Sequence, residues 1–262
     1  MSTPTFGPGL NLLTTSTPNG IKVSVALEEL KAVGAIPSYA FTPVAFSKNE
    51  QKSDWFMAVN PNGRIPALVD NREGKKPINV WESASILLYL SKTYDTKFAF
   101  HFEDEDEETE MINWIFFLQG GVGPMQGQAN HFNRYAPEKI QYGIDRYQNE
   151  TKRLYSVYEA QLAGGKEFLV GADKGKYSYA DICSYPWFRF HDWAGVGLEK
   201  FPNVAAWMAR NEARPAVLAG LKVPEQDAVT KMREDPEEAA RVAAAGSAWI
   251  MKGVQDDAKK HA

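Results

Sequence analysis

The residues of this chain that are best suited to chemistry stand in two short motifs. The first is Pro-Asn-Gly-Arg-Ile-Pro at residues 61–66, and the second, Trp-Glu-Ser-Ala-Ser-Ile, occupies residues 81–86. A proline that begins a strand has no backbone N–H, so the main chain of the residue before it, Ile65, can stay unpaired and face outward. A short peptide can then lie along Ile65 as an added antiparallel strand.

The second motif predicts the beginning of a helix at Glu82 and Ser83. The N–H groups of a helix N-terminus favour an anion such as a carboxylate, and the Ser83 hydroxyl adds one more donor. The same two side chains are also suited to capping the helix, and the two roles are compatible. Together the motifs predict a receptor for a small extended peptide that carries a carboxylate.

The first half of the chain has the element order that positions these motifs. Apolar runs, helical spacing and turn residues predict the order β-α-β-α-β-β-α. The expected strands and helices cover residues 10–13, 23–30, 39–44, 50–59, 67–69, 78–80 and 82–94. Residues 71–77 are expected to form a hairpin loop between the last two strands.

After about residue 95 the strand signals stop, and the rest of the chain is expected to be helical. Residues 111–118 predict a mostly buried helix, residues 120–127 a glycine-rich break or kink, and residues 140–162 a long amphipathic helix. The acidic run at residues 103–110 suits either a cation or basic-partner site or a solvated helix N-terminus. Residues 223–262 predict a surface linker and then a helix, in which Trp249, Ile250 and Val254 either dock on the body or belong to a frayed tail.

Composition excludes several classes of function. The net charge of −4 argues against a general nucleic-acid or anionic-membrane binder. No stretch reaches the roughly 20 apolar residues that a membrane span requires, and no secretory signal is evident. The single cysteine, Cys183, forbids an intrachain disulfide, and the four histidines lack metal-ligand spacing. We therefore expect a cytoplasmic protein without a metal.

Three motifs in order and spacing resemble the glutathione S-transferases: Pro-Asn-Gly at 18–20, Asn-Pro-Asn-Gly-Arg-Ile-Pro-Ala-Leu at 60–68 and Trp-Glu-Ser at 81–83. The chain looks most like the fungal nitrogen-regulator-like (prion-protein-like) class and the bacterial nu-class disulfide-bond oxidoreductases. The resemblance covers about residues 8–222. It implies an α/β thioredoxin-like domain over residues 1–95 and an all-helical domain over 96–222. Residues 223–262 form a C-terminal extension outside it.

The resemblance also implies glutathione as co-substrate and a set of site residues. Thr17 and Asn19, in the turn before the first helix, would hydrogen-bond the thiolate of glutathione. Their other interpretation is that they form the turn and cap the helix. Because the turn contains neither tyrosine nor cysteine, Thr15 and Ser16 remain rival hydroxyls. The residues expected to bind glutathione are Gln51, Asn62, Arg64, Ile65, Glu82, Ser83 and Arg146.

The chemistry implied is that of a glutathione thiolate. It would attack a small electrophile, as in a glutathione transferase, or exchange with a disulfide bound with glutathione or as glutathione disulfide. Cys183 is expected to be buried and inert, so the reacting thiol would come from glutathione itself. The alternative is a non-catalytic, regulatory glutathione-binding protein, since the fungal class includes a transcriptional regulator. The resemblance also implies a homodimer. For Arg146, the alternative to a contact with glutathione is a surface ion pair.

Overall fold

Four strands form one mixed sheet in the first half of the chain. The computed structural model describes residues 4–227 and 229–260. The strand order is β2-β1-β3-β4, with β2 parallel to β1 and the other two pairs antiparallel. The elements of this half are β1 (Gly9–Thr14), α1 (Pro18–Ala32), β2 (Ala40–Pro43), α2 (Asp54–Met57), β3 (Ala67–Asn71), β4 (Ile78–Trp81) and α3 (Ser83–Thr93). The predicted thioredoxin-like arrangement is confirmed.

The remainder is helical, as predicted. Its helices are α4 (Glu105–Phe117), α5 (Gly123–Asn130), α6 (Gln141–Gln161), α7 (Tyr179–Phe188), α8 (Pro202–Glu212), α9 (Pro215–Gly220), α10 (Val229–Glu234) and α11 (Pro236–Lys260). The expected glycine-rich kink takes the form of a π-helical segment, Leu118–Val122, which leads into α5. None of the helices in the described ranges combines the length and apolarity that a bilayer span requires.

Two helix predictions need correction. Residues 50–59 do not form one helix, because Asn49 adopts a left-handed φ of 56° and Ser53 is extended, which leaves short 3-10 turns before the four-residue α2. The helix over residues 111–118 is buried on one face only. Met111 and Ile115 are fully buried, whereas the ring of Phe116 is 62% exposed, because neighbouring positions on a helix point in different directions.

The acidic run proves to be the solvated start of α4. The carboxylate of Asp104 accepts hydrogen bonds from the backbone N–H groups of Asp106 and Glu107, at 3.1 and 3.0 Å. Four acidic residues follow in the first turn, where the positive end of the helix dipole favours them. The run is therefore explained by helix capping.

Helix α1 is buried on two sides and joins the two halves of the molecule. Its residues from Gly20 to Leu27 are all buried, and they pack against the sheet and α3 as well as α7 and α9. The Ser24 hydroxyl donates to the carbonyl of Gly220 at 2.7 Å. Arg214 donates to both carboxylate oxygens of Glu29, at 2.6 and 2.9 Å.

The C-terminal segment docks on both halves, which decides between the two expectations for it. The Ser247 hydroxyl donates to the carbonyl of Tyr135 at 2.6 Å, and the Trp249 ring stacks on Phe46 with centroids 4.8 Å apart. The Ile250 side chain is half-buried, and the side chain of Val254 lies outside the described part of the chain. The expected surface linker contains α10, and Asp227 within it pairs with Arg189 at 2.6 Å.

The close contact between α9 and α1 generates the first prediction. A Cβ on Gly220 would lie 2.6 Å from the Cα of Val25, a backbone atom that cannot move aside. Overpacking of this kind typically costs about 1–3 kcal/mol. Gly220→Ala should therefore lower the melting temperature by several degrees in a calorimetric scan. Gly120→Ala, whose Cβ would meet nothing within 4 Å, is the matched control and should melt close to wild type.

The aromatic stack of the tail generates the second prediction. Removing one ring of such a pair forfeits about 0.5–1.5 kcal/mol beyond the buried area. In a chain of this size, each kcal/mol of lost stability lowers the melting temperature by roughly 2–4 °C. Trp249→Ala should lower the melting temperature by at least about 2 °C. Arg241→Ala on the same helix removes only an exposed ion pair with Glu238 and should be nearly neutral. Equal melting of the two variants would contradict the docking contact.

Candidate active site

The turn between β1 and α1 holds Thr17 as the N-cap of the helix. Its Oγ1 accepts a hydrogen bond from the N–H of Gly20 at 3.1 Å. A Cβ at Gly20 would lie 2.3 Å from the carbonyl oxygen of Thr15, so only glycine permits a turn this tight. Within the described residues no hydrogen bond uses the Thr17 O–H as donor. Thr17 therefore caps the helix and still has its hydroxyl proton to donate.

Asn19 is oriented by the helical half of the molecule. The indole Nε1 of Trp187, on α7, donates to Asn19 Oδ1 at 3.0 Å. Because an indole N–H can only donate, the facing atom must be the amide oxygen, and the amide Nδ2 has no hydrogen-bond partner in the part of the chain that the structure describes. Trp187 was missed by the sequence analysis, since it stands 168 positions from Asn19 and has no motif of its own.

Of the two rival hydroxyls in this turn, that of Ser16 is placed less favourably, whereas Thr15 is half-exposed like Thr17. The Ser16 Oγ is buried and has no hydrogen-bond partner among the described residues, so a ligand thiol cannot reach it without rearrangement. The carbonyl of Thr15 accepts from the N–H of Thr17 at 2.8 Å, which closes the turn. Thr17 and Asn19 are both half-exposed. Both side chains are therefore accessible from outside the turn.

Ile65 offers its main chain to a ligand. The Ile65-Pro66 peptide bond is cis, and β3 begins only at Ala67. In the part of the chain that the structure describes, neither the N–H nor the C=O of Ile65 has a backbone partner. The Asn60 amide donates to the carbonyl of Arg64 at 2.6 Å and holds the loop before it. These free groups are what an added antiparallel strand requires.

Glu82 and Ser83 lie beside this loop. The Asn62 amide donates to the Glu82 carboxylate at 3.4 Å, which joins the two motifs. Glu82 has a positive φ of 68°, a strained conformation for a residue other than glycine. The Glu82 side chain makes no capping hydrogen bond to α3, and no other described side chain does so, which means that the capping role expected for Glu82 and Ser83 is wrong. The first N–H groups of α3 consequently remain available to an anion.

A buried lysine lies behind Ser83. Lys22 has no exposed surface, and its Nζ donates to the Ser83 Oγ at 3.3 Å and to the Gln119 Oε1. The Gln119 amide Nε2 also lies 3.4 Å from the Ser83 Oγ as a donor. Burial lowers the pKa of the Lys22 ammonium, while the nearby Cys183 and Glu82 act in the opposite direction. The sequence analysis missed this residue, although a lysine between Ile21 and Val23 on an apolar helix indicates a buried charge.

Three of the expected binding residues have no side-chain hydrogen bond or ion pair to Lys22, Glu82 or Ser83 among the described residues. Gln51 is only 4% exposed, its Nε2 donates to Asn49 Oδ1 at 2.6 Å, and its Oε1 is buried without a partner among the described residues. Arg64 is exposed. Arg146 lies on α6 in a groove of about 690 Å³ that Tyr142 and Arg153 also line. No hydrogen bond or ion pair between described residues joins Arg146 to the other site residues, and none shows the expected surface ion pair.

The single cysteine of the chain lies inside α7. Cys183 has no exposed surface, and burial raises the pKa of its thiol, so the expectation of a buried cysteine is confirmed. Among the described residues no group of three or more histidine, cysteine or carboxylate side chains converges as a metal site.

Both halves of the chain match known domain families. Residues 10–92 match the glutathione S-transferase N-terminal domain, and residues 110–215 match the C-terminal domain of the same family. The disulfide-bond oxidoreductase YfcG of Escherichia coli K12 is 36% identical over 209 residues, which are 79% of this chain and 92% of that protein. The chain belongs to the glutathione S-transferase family.

Two further relatives show which members of the family this chain is similar to. The crystal structure of a glutathione transferase homolog from Lodderomyces elongisporus, with two glutathione molecules per subunit, has a TM-score of 0.75 and 36% identity. The match covers 84% of this chain and 100% of that chain. The transcriptional regulator URE2 of Saccharomyces cerevisiae is 32% identical over 239 residues, 79% of this chain and 66% of that protein. The predicted resemblance to the fungal and bacterial classes is confirmed.

Proposed function

We propose that this glutathione S-transferase binds glutathione and uses its thiolate to reduce small disulfides, with Thr17 and Asn19 as the activating donors. The observation that carries the proposal is the hydrogen bond from Trp187 to Asn19, which leaves the amide Nδ2 without a partner among the described residues, in the same turn as the half-exposed Thr17. Two neutral donors in a turn without tyrosine or cysteine suit a thiolate that the ligand itself supplies. The disulfide-bond oxidoreductase among the relatives supports this direction.

The binding roles follow from the groups that the structure leaves available. The main chain of Ile65 would pair with the cysteinyl backbone of glutathione. The Glu82 carboxylate would take the γ-glutamyl amine, while Ser83 and the free N–H groups of α3 would take the adjacent carboxylate. Asn62 supports Glu82 directly. Gln51, Arg64 and Arg146 would make the remaining contacts with glutathione.

The reaction would proceed by two thiol–disulfide exchanges. A glutathione thiolate attacks one sulfur of the disulfide, forms a mixed disulfide and expels the other sulfur as a thiolate, which takes up a proton. A second glutathione attacks the mixed disulfide and yields glutathione disulfide and a second thiol. A free thiol has a pKa of about 8.5, and donors at the sulfur would lower it. The cytoplasm, where glutathione is kept reduced, would be the place of this reaction.

Two alternative functions would use the same site. The thiolate could attack an electrophilic carbon, which is the conjugation reaction of a transferase and needs the same two donors. A regulatory protein that binds glutathione without turnover is the alternative from another class, and the similarity to URE2 supports it. The Asn19 amide, held ready to donate, favours catalysis over binding alone.

The activity prediction combines a titration with an assay. Wild-type protein should bind glutathione or glutathione disulfide in a calorimetric titration and should reduce 2-hydroxyethyl disulfide with glutathione faster than it conjugates an aryl halide. Cys183→Ala should keep this activity, since the buried thiol takes no part. No binding of either ligand at millimolar concentration would refute the site. A folded but inactive Cys183→Ala variant would refute the source of the thiol.

Substitutions at Thr17 and Asn19 test whether these residues donate to the thiolate. Removing one hydrogen bond to a developing anion typically costs about 10²–10³ in rate. Thr17→Ala and Asn19→Ala should therefore lower kcat far more than they raise KM for glutathione. Trp187→Phe, which keeps the ring but removes the N–H that holds Asn19, should lower kcat by a smaller factor. Full turnover in Thr17→Ala and Asn19→Ala, with loss in Ser16→Ala, would reassign the donor.

The exposed apolar side chains support the proposed homodimer. Trp81 and Ile78 on β4 are each 39% exposed, and Phe116 on α4 and Tyr142 on α6 are 62% and 77% exposed. We propose that the first half of one chain faces the helical half of its partner through these residues.

The dimer prediction uses sedimentation at micromolar concentration. Wild type should sediment at twice the chain mass of 29.2 kDa, and Phe116→Asp should shift the equilibrium toward monomer, because it places a charge in an apolar contact. Glu103→Ala, in the acidic start of α4, should leave the dimer intact. A wild-type species near the mass of one chain would refute the dimer.

A further inference from the structure

We propose that Lys22 is a positioning and specificity-determining residue for the γ-glutamyl carboxylate of glutathione, acting from behind Ser83. The inference rests on the proposed function, because it concerns the same ligand. It adds a residue that makes no direct contact with the reacting thiol and lies wholly inside the protein. Three observations carry it: the direction of the hydrogen bonds at Ser83, the lack of a close counter-ion, and the position of Lys22 on α1.

The first observation is that Ser83 receives two hydrogen bonds from inside the protein. The Lys22 Nζ lies 3.3 Å and the Gln119 Nε2 3.4 Å from its Oγ, and both groups can only donate. A hydroxyl has two acceptor lone pairs and one proton. When both lone pairs are engaged from within, the proton must point to another acceptor. A ligand carboxylate at the N-terminus of α3 is such an acceptor.

The second observation is that the ammonium of Lys22 has only neutral groups in contact. Its hydrogen-bond acceptors are the Ser83 hydroxyl and the Gln119 amide oxygen, and no carboxylate of the described residues lies within ion-pair distance. The Glu82 carboxylate acts on it only at longer range, and the neighbouring Cys183 thiol is itself buried. A buried cation is stable only when it is paired or well hydrogen-bonded. A carboxylate bound at Ser83 would supply the missing negative charge.

The third observation is that Lys22 and Asn19 share one face of α1, since residues three positions apart on a helix lie together. Asn19 is proposed to act on the sulfur end of glutathione, and Lys22 on its glutamyl end. A peptide without the α-carboxylate would leave the buried ammonium uncompensated. The site would therefore select γ-glutamyl peptides through a charge that the ligand never touches.

A double comparison of protein and ligand tests this inference. The variant is Lys22→Met, which keeps the length of the side chain and removes the charge. The ligands are glutathione and 4-aminobutyryl-cysteinylglycine, which is glutathione without the γ-glutamyl α-carboxylate. Affinities are measured by calorimetric titration. Wild type should prefer glutathione, and Lys22→Met should bind glutathione about 10-fold or more weakly while binding the analogue as wild type does.

Matched variants separate this role from a merely structural one. Lys31→Met removes an exposed lysine on the same helix and should bind both ligands normally. Gln119→Glu gives Lys22 a resident counter-ion and should weaken glutathione binding selectively, and it decides the matter alone if Lys22→Met does not fold. Unchanged affinities, or an equal loss for both ligands, would overturn the inference while leaving the proposed function intact. Failure of wild type to bind glutathione would overturn both.

Discussion

The double burial of α1 is the constraint on which the rest of the structure depends. One side of this helix packs on the sheet, and the other packs on α7 and α9 of the helical half. Glu29 on this helix is held by both guanidinium contacts of Arg214. Since α1 cannot shift without breaking both packings, the turn at its N-terminus is held in place from two directions. The candidate donors to sulfur stand in that turn.

The same constraint explains why the site is assembled from distant parts of the chain. Trp187 on α7 orients Asn19, and Gln119 of the π-helical segment meets Lys22 at Ser83, so two segments of the helical half each supply a polar contact. Donors that are fixed before the ligand arrives need no reorganisation during reaction, which is the main source of electrostatic stabilisation in enzymes. The interface between the two halves therefore serves as packing and as the support of the site.

Local signals in the sequence predicted most of the fold and only part of the site. The element order of the first half and the long helix α6 were predicted because their causes lie within a few residues. Lys22 and Trp187 were missed because their hydrogen-bond partners come from other elements, and no local sequence pattern predicts such a contact. The interpretation of Thr17 as either a cap or a donor was undecidable locally, since one hydroxyl can accept from Gly20 and still donate.

The two ends of the proposed ligand site differ in charge, and the difference suits disulfide exchange. Near the sulfur the proposed donors are a hydroxyl and an amide, whereas the glutamyl end has the buried ammonium of Lys22 and the N-terminus of α3. A full positive charge beside a thiolate would lower its pKa strongly and reduce its intrinsic nucleophilicity. Exchange is fastest when the pKa of the attacking thiol is close to the ambient pH. Neutral donors lower the pKa only moderately, so separating the charge from the sulfur would keep glutathione binding strong and the thiolate reactive in the proposed exchange.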